Sequence, residues 1–554
     1  MEDGGVETPA WPQLSRVDGA VLPALGGFGR YQKRLVLLSW LPALLLSCGA
    51  NSDPFLLEGR ACVWNRTENG TGGGRPGLAE NVVTEWRLVC EDAWRLQLLR
   101  VALLFGSTVG YLLGGVLADW LGRKPVMLVC VVSVCVCGVG VAFSSSLLMF
   151  ACLRFVQGLS LAGIGLTLYL LREFHTRTHT HTPGFRVNVV CPRPPGMELC
   201  LPAWRFSAML VSSVLAVGGQ LLMPGLATLC ADWHLFQILL SSPLVLLLFY
   251  ACLFPESLRW LLATRRFHRA KGQMYAIAQS NRVDTETDQS GVLSELERAQ
   301  QETPRSSCVL QIIRTRNLWK SVLVLCVNAL AGCGMEECFV RVVWGGVLPS
   351  KYLALGGVAL AACVAMGGAV CLLGRRAGLL CFMIVTALCS LLQLGLFNLI
   401  GKYALRHGTV LRDNHVSVVF SGIGILTSHA VSSLSVFTCA EISPTVIRGG
   451  SVGLVMASAT LGACVSPLLD HQELRGFFLL RVILTCTCLL SLICIPLLRE
   501  TTGQPLPESI AEAEGLLRRP LPSGEQHCLL QRPEVTDTPL RQLTTDTPNG
   551  VRTS

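Results

Sequence analysis

The chain has 554 residues, of which 51% are apolar and only 15% charged, and its mean hydropathy is +0.52. Soluble chains of this length are normally about a quarter charged and form several domains. The composition therefore excludes an ordinary soluble protein, and the absence of a glycine triplet period excludes a collagen-like chain. A polytopic protein of the lipid bilayer remains. The net charge of +9 is spread over short loops between apolar runs, so we expect no nucleic-acid partner.

The apolar runs predict twelve membrane-spanning helices, because a helix needs roughly 20 apolar residues to cross the bilayer core. The runs lie near residues 35–52, 99–118, 125–144, 147–171, 206–228, 234–255, 320–343, 352–373, 377–400, 415–438, 449–469 and 477–498. We therefore predict an all-α polytopic membrane protein. The predicted domains are two six-helix bundles at 35–255 and 320–498, with tails at 1–34 and 499–554.

Two long polar segments set the expected orientation. Loop 51–94 contains two N-x-[ST] sequons, at Asn65 and Asn69, and glycosylated sequons lie outside the cytoplasm. Segment 256–319 is rich in arginine and lysine, as cytoplasmic segments are. We therefore expect a multi-pass plasma-membrane protein with both termini in the cytoplasm. Cys62 and Cys90 in loop 51–94 could form a disulfide, although the sequence does not define the pairing.

A short motif follows the second apolar run. It reads Gly115-Val-Leu-Ala-Asp119-Trp-Leu-Gly122-Arg123-Lys124. The two glycines allow close backbone approach, and Asp119 and Arg123 lie where they can cap helix ends or pair. An ordinary polar turn is the alternative, which the combined spacing disfavours.

This motif resembles the cytoplasmic signature loop of the major facilitator superfamily. Four further motifs resemble, in the same order, solute carrier family 22, the organic cation, anion and zwitterion transporters. They are Thr84-Glu-Trp-Arg-Leu-Val-Cys90, Arg154-Phe-Val-Gln-Gly158, Pro255-Glu-Ser-Leu-Arg-Trp-Leu261 and Glu441-Ile-Ser-Pro-Thr-Val-Ile-Arg448. The resemblance covers about residues 30–505 and is greatest to the divergent branch near the brain-type organic cation transporter.

The resemblance implies two helical bundles around a cavity that opens alternately to each side, with binding near the midplane. It also implies cytoplasmic ion pairs that hold the inner gate shut. Their members would be Asp119, Arg123, Glu173, Glu256, Arg259, Glu441 and Arg448.

The chain departs from the family pattern at three positions in these motifs. Arg87 stands where the family usually has aspartate, and Leu258 where it has proline. The second-half copy of the signature loop, Cys371-Leu-Leu-Gly374-Arg375-Arg376, has cysteine in place of aspartate. We therefore expect one partner of the inner gate to be missing.

A fourth departure concerns the charge of the substrate. Cation transporters of the family have an acidic residue twelve positions after the arginine matching Arg448, anion transporters have an arginine, and this chain has Thr460. The Thr460 hydroxyl binds either a ligand or its own helix backbone, and we favour the backbone. Spans eight to eleven are expected to lack an acidic or basic residue at midplane depth, while Arg100, Arg154 and Arg481 near helix ends are expected to snorkel to the interface.

The candidate substrate-binding residues are Tyr169, Gln220, Glu337, Arg341 and Thr460. Glu337 and Arg341 lie four apart, in the favoured order for a helical pair, with Glu336 beside them. This group is either a contact of the outer vestibule or a solvated pair at the membrane surface.

The connection at 172–204 is longer than the family uses and contains His175-Thr-Arg-Thr-His-Thr-His-Thr182. Three histidines at this spacing could bind a metal if the loop folded. Alternating Thr-His is also what a translated CA repeat gives. We favour retained non-coding sequence or an error in the gene model, and we predict no metal site.

The sequence contains no nucleophile–base pattern, P-loop or HExxH motif, so we expect neither an enzyme nor a cofactor. The predicted function is secondary-active or facilitative transport of small organic ions or zwitterions by alternating access. The alternative is a non-transporting receptor or endocytic binding protein with a protein ligand, which Cys371 and Thr460 would favour. A structural or trafficking role is the third hypothesis.

Overall fold

The computed structural model describes most of the chain, in twelve segments. These are residues 30–57, 80–88, 93–175, 201–230, 232–264, 266–282, 315–343, 348–407, 415–468, 474–502, 506–507 and 509–518. The described residues up to Leu517 form one compact unit, and Arg518 begins a second. The sequons at Asn65 and Asn69, Cys62 and Cys90, and residues 176–200 of the insert lie outside the described residues.

Twelve helices of 20 to 33 residues run through the described residues and coincide with the twelve apolar runs. They are α1 Arg30–Ala50, α2 Ala93–Trp120, α3 Arg123–Ala142, α4 Leu147–His175, α5 Leu201–Leu229, α6 Trp233–Leu253, α7 Arg316–Val343, α8 Leu348–Leu373, α9 Arg375–His407, α10 His415–Ile442, α11 Arg448–Leu468 and α12 Leu474–Cys494. Nine helices of the described residues are long and apolar enough to cross a membrane. The prediction of an all-α polytopic fold is confirmed.

The outer surfaces of these helices are apolar, as a lipid environment requires. Large side chains such as Leu148 and Val364 are more than two-thirds exposed, which would be costly in water. Polar groups turn inward or bond their own helix: the hydroxyls of Thr167 and Ser435, for example, donate to carbonyls four residues earlier. Helices suit the bilayer because every backbone polar group finds a partner within the segment.

Glycines bring three helices into close contact. A Cβ at Gly106 of α2 or at Gly158 of α4 would collide with backbone of the other helix. On the opposite side of α2, a Cβ at Gly115 would lie 2.5 Å from the Gly449 carbonyl oxygen of α11. Small residues permit such approach between membrane helices. Helix α2 is thus held between α4 and α11.

Short helices cover both ends of the bundle. At the end that contains Asp119, hereafter the Asp119 end, lie Leu258–Ala263, Phe267–Asn281 and Ile510–Arg518. At the opposite end, the Asp53 end, lie Asp53–Leu56 and Val82–Glu85.

Candidate functional site

The turn between α2 and α3 is fixed by a carboxylate from a distant segment. Glu256 accepts hydrogen bonds from the first two backbone N–H groups of α3, at Arg123 (3.1 Å) and Lys124 (3.2 Å). Gly122 before them has φ +116°, and a Cβ there would lie 2.8 Å from the Glu256 carboxylate. A carboxylate at a helix N-terminus satisfies donors that lack an intrahelical partner and opposes the helix dipole. Glycine at 122 leaves room for that carboxylate.

Asp119 makes the same kind of contact with α11. Its two carboxylate oxygens accept from the backbone N–H groups of Gly449 (3.0 Å) and Gly450 (2.7 Å). A Cβ at Gly449 would lie 2.6 Å from the Asp119 carboxylate. The indole N–H of buried Trp260 donates to the Asp119 carbonyl oxygen at 2.9 Å. Asp119 therefore joins the end of α2 to the start of α11, across the two predicted bundles.

The second signature loop repeats the first. Glu500 accepts from the backbone N–H groups of Arg375 (3.1 Å) and Arg376 (3.0 Å), the first residues of α9. Gly374 before them has φ +86°, like Gly122. Arg375 and Arg376 belong to the second signature loop predicted from the sequence, whereas Glu500 was not among the predicted site residues.

Glu500 lies beyond the last membrane helix, and the pKa of its carboxyl is lowered. Burial opposes ionisation, but hydrogen bonds from Thr502, Arg376 and Arg375 outweigh burial and bring the pKa below its ordinary value of 4.5. A group with a depressed pKa in the folded state stabilises the fold above its unfolded pKa and loses that contribution as pH falls through the folded value.

We expect Glu500→Gln to lower the melting temperature in detergent at pH 7. Because the carboxylate is ionised well above pH 4.5, the difference from wild type should stay constant between pH 7 and 5 and shrink below about pH 4.5. Thermal unfolding across this range measures it. Glu80→Gln, at an exposed position of the other end, is the control and should change little. A difference that widens on acidification would contradict this role of Glu500.

An ion pair links the start of α9 to the end of α10. The Arg375 guanidinium contacts the Glu441 carboxylate at 2.8 Å, and each side chain is 3% exposed. The Thr501 hydroxyl donates to the same carboxylate at 2.6 Å. Glu441 was selected from the sequence, whereas its partner Arg375 was missed.

The remaining residues predicted for the gate lie at the same end. Arg123 and Arg448 are buried and donate to the carbonyl oxygens of Leu170 (3.1 Å) and Ser443 (3.1 Å). Arg259 is buried in the helix Leu258–Ala263. The side chain of Glu173 lies outside the described residues. The structure thus brings Asp119, Arg123, Glu256, Arg259, Glu441 and Arg448 to one end of the bundle, together with Arg375 and Glu500.

Cys371, where the family usually has aspartate, is exposed at the end of α8. Two carboxylate contacts of the second half persist nevertheless, since Glu500 holds the start of α9 and Glu441 holds Arg375. Cysteine at position 371 therefore leaves the other contacts at the Asp119 end, hereafter the network, in place.

A cavity of about 320 Å³ lies among α1, α2, α4 and α5, with one residue of α11. Among the described residues that line it, the polar groups are hydroxyls and one amide, with no acidic residue, arginine, lysine or histidine. The polar residues are Ser39, Ser47, Asn51, Ser107, Tyr111, Tyr169 and Ser212. Cavities of roughly 300–1,000 Å³ are typical of small-molecule sites.

The other candidate binding residues lie outside this lining. Gln220 is half-buried on α5 and does not belong to the lining. The Thr460 hydroxyl donates to the Ala457 carbonyl oxygen at 3.0 Å and lies 2.9 Å from the Thr108 hydroxyl of α2. Glu337 and Arg341 are half-buried on α7, where Arg341 interacts electrostatically with Glu337 and with Arg100 of α2.

Two of the three arginines expected to snorkel are buried instead, which makes that expectation wrong for Arg154 and Arg481. Arg154 is 0% exposed and pairs with Asp53, while its guanidinium also donates to Gln157 at 3.0 Å. Arg481 is 1% exposed and donates to Gln393. Polar partners within the protein therefore stabilise each guanidinium charge, and the side chains do not reach the membrane–water interface.

The expectation that spans eight to eleven lack a basic group at depth is also wrong, because His429 lies in the middle of α10. Its imidazole Nδ1 lies 3.0 Å from a carboxylate oxygen of Glu336 on α7. A single histidine within an apolar run gives no sequence signal that separates it from a core residue.

This fold, with its repeated signature loops and inner cavity, defines a major facilitator transporter. The family model described as "Sugar (and other) transporter" matches residues 72–170 and 207–509. The proton:xylose symporter XylE bound to 6-bromo-6-deoxy-D-glucose has a TM-score of 0.60 at 16% identity, covering 88% of this chain and 99% of XylE. XylE from E. coli in a partially occluded inward-open form has a TM-score of 0.52, also at 16% identity, and covers 86% and 100%.

The chain belongs to solute carrier family 22. It is 40% identical to solute carrier family 22 member 23 of Rattus norvegicus, over 94% of this chain and 85% of the relative. It is equally similar to the Homo sapiens member 23, with 40% identity over 94% and 84%. Identity to the Homo sapiens member 17 is 32%, over 82% and 69%.

Proposed function

We propose that this protein is an alternating-access transporter of small organic solutes that are neutral or zwitterionic. The observation that carries the proposal is the cavity of about 320 Å³, whose polar lining is made of uncharged groups. A fixed charge in a low-dielectric cavity must be met by an opposite charge on the ligand. A lining without one selects instead by shape and hydrogen bonding, and its hydroxyls suit polar solutes without net charge.

The network at the Asp119 end supports transport over the receptor alternative. Asp119 connects α2 to α11 through backbone N–H groups, a contact that can break and reform as one bundle rocks against the other. The second-half contacts of Glu500 and Glu441 remain despite Cys371. A chain that only binds a protein ligand would have no need of these contacts at the Asp119 end.

Uptake into proteoliposomes tests the proposal. Purified protein should take up at least one labelled neutral polyol or zwitterionic amino acid faster than protein-free vesicles, and a model tetraalkylammonium and an aromatic carboxylate poorly. Tyr169→Ala, in the cavity wall, should reduce that uptake, whereas Gln220→Ala, outside the lining, should not. Saturable binding of a protein ligand together with no uptake across the panel would favour the receptor alternative.

A charge placed near the cavity should change the preference for charge. Thr460 lies one turn beyond the cavity residue Met456, so Thr460→Asp is expected to raise cation uptake relative to anion uptake. Thr460→Val is the matched control, because it removes the hydroxyl without adding charge. Uptake of a model cation and a model anion at several external pH values measures the ratio. An unchanged ratio in Thr460→Asp would show that this position does not set charge preference.

The proposal places the Asp53 end outside the plasma membrane and the Asp119 end in the cytoplasm. We therefore expect glycan on Asn65 or Asn69. Glycosidase treatment should shift the electrophoretic mobility of surface protein, and the double variant Asn65→Gln/Asn69→Gln should show no shift. Absence of glycan together with external labelling of segment 256–319 would reverse the orientation.

A further inference from the structure

An ionisable pair lies inside the membrane helices, apart from both the cavity lining and the network at the Asp119 end. It consists of Glu336 on α7 and His429 on α10, with 3.0 Å between imidazole Nδ1 and carboxylate Oε1. Both helices are long and apolar enough to span a membrane. Ionisable groups within such spans are costly and usually serve ion or proton movement.

The helix crossing fixes this pair. Gly332, one turn before Glu336, lies against α10, where a Cβ would be 3.1 Å from the Ser428 carbonyl oxygen and 3.1 Å from the Ser432 backbone nitrogen. Ala331 and Ala430 are fully buried on either side of the crossing. The side chains of His429 and Glu336 remain 27% and 23% exposed, so neither is sealed in the core. The pair is therefore held in place at the crossing without being fully buried.

One buried cluster borders both the pair and the cavity. Cys333, one turn before Glu336, lies 3.4 Å from the Ser432 hydroxyl, which follows His429 by three residues. Cys333 and Tyr111 of α2 both pack against one buried apolar cluster, and Tyr111 lines the cavity. Met335 and Ala430, the neighbours of Glu336 and His429 in sequence, belong to that cluster, so the pair and the cavity border the same packed core.

The Cys333 thiol lies near Glu336 itself, and the other ionisable groups nearby lie around Glu337, the neighbour of Glu336. Glu337 interacts with Tyr352 of α8, Cys464 of α11 and Arg341 of its own helix. Arg100 of α2 lies near Arg341, and Arg481 of α12 lies near Cys338. The charged group that acts on the His429 imidazole is the Glu336 carboxylate.

We infer that His429 and Glu336 form a proton-binding site whose occupancy is linked to solute movement through the adjoining cavity. A carboxylate only accepts, so His429 Nδ1 donates to Glu336 and Nε2 is the atom that takes and releases the proton. With the proton bound, imidazolium and carboxylate form a pair of zero net charge. After its release, neutral imidazole and carboxylate leave one negative charge at the helix crossing. This inference rests on the proposed transport function, although proton binding can be measured without it.

Proton binding is tested directly on full-length purified protein with ¹⁵N-labelled histidine. One imidazole signal should titrate reversibly, disappear in His429→Gln, and titrate at lower pH in Glu336→Gln, where the carboxylate no longer favours the imidazolium. His234→Gln is the matched control, because His234 also lies beside a glutamate, with 3.3 Å to Glu85, but at the Asp53 end. Failure of the His429 signal to titrate between pH 4 and 9 would overturn the inference.

Coupling is tested in proteoliposomes with the solute that the uptake panel identifies. If one proton moves with each solute, a gradient of two pH units can drive accumulation up to about 100-fold in wild type. His429→Gln should keep exchange of solute at equal pH but lose accumulation, and His234→Gln should keep both. Wild-type uptake that does not depend on the pH gradient would overturn the coupling but would leave the proposed transport function standing. If no solute is taken up, the proposed transport function fails, and with it the coupling.

Discussion

Replacing Arg375 by methionine is expected to destabilise the protein by about 3–5 kcal/mol, the typical effect of removing one partner of a buried ion pair. Arg375 and Glu441 are each 3% exposed and lie 2.8 Å apart, so the variant leaves a carboxylate in a site with almost no access to water. The Thr501 hydroxyl still donates to Glu441, which offsets part of the effect. Chemical or thermal unfolding of detergent-solubilised protein gives the difference.

A double variant distinguishes the stability that comes from the Arg375–Glu441 interaction from the stability that each side chain gains from its other contacts. Apolar replacement of both partners often costs little, so Arg375→Met/Glu441→Leu should recover most of the stability that Arg375→Met loses. Arg376→Gln is the matched control; its guanidinium donates to the Pro496 carbonyl oxygen at an exposed site, and we expect a change below about 1 kcal/mol. If the loss of stability in the double variant equalled the sum of the losses in Arg375→Met and in Glu441→Leu alone, the two side chains would not stabilise the fold as a pair.

The spans and the gate loops could be predicted from the sequence, because both depend on local pattern. Runs of apolar residues give the helices, and Gly122 or Gly374 before basic residues gives the turns that start α3 and α9. The residues in distant segments that form hydrogen bonds with these loops could not be predicted from the sequence. Asp119 bonds to a residue 330 positions away, and nothing local in the sequence specifies that α11 begins beside it.

Charged residues within the spans were the least predictable feature. Arg154 and Arg481 lie near helix ends in the sequence, and a long side chain there can reach either the interface or the interior. The interactions with Asp53 and Gln393 keep Arg154 and Arg481 in the interior, but both partners belong to other segments of the chain. The pair of His429 and Glu336 could not be predicted either. The two residues are brought together by the crossing of α7 and α10 at Gly332, and helix packing is not encoded in the local sequence.

Asp119→Ala is expected to release the start of α11. It removes the acceptor of two backbone N–H groups, at Gly449 and Gly450, and a donor left unsatisfied in a buried site costs about 1–3 kcal/mol. The loss of a negative charge at a helix N-terminus adds to the effect. Asp119→Asn should destabilise less than Asp119→Ala, because the amide keeps one acceptor oxygen for one of the two donors.

Hydrogen–deuterium exchange measures this release where it should occur. Peptides covering the first turn of α11 should exchange faster in Asp119→Ala than in wild type, with Asp119→Asn between them. Peptides from the middle of α10 serve as the internal control, and Glu80→Gln, at the opposite end, controls for the loss of a carboxylate. Because Asp119 joins α2 to α11, faster exchange should be accompanied by weaker closure of the Asp119 end and altered uptake. Unchanged exchange at Gly449 and Gly450 in a folded Asp119→Ala variant would mean that the carboxylate does not hold this contact.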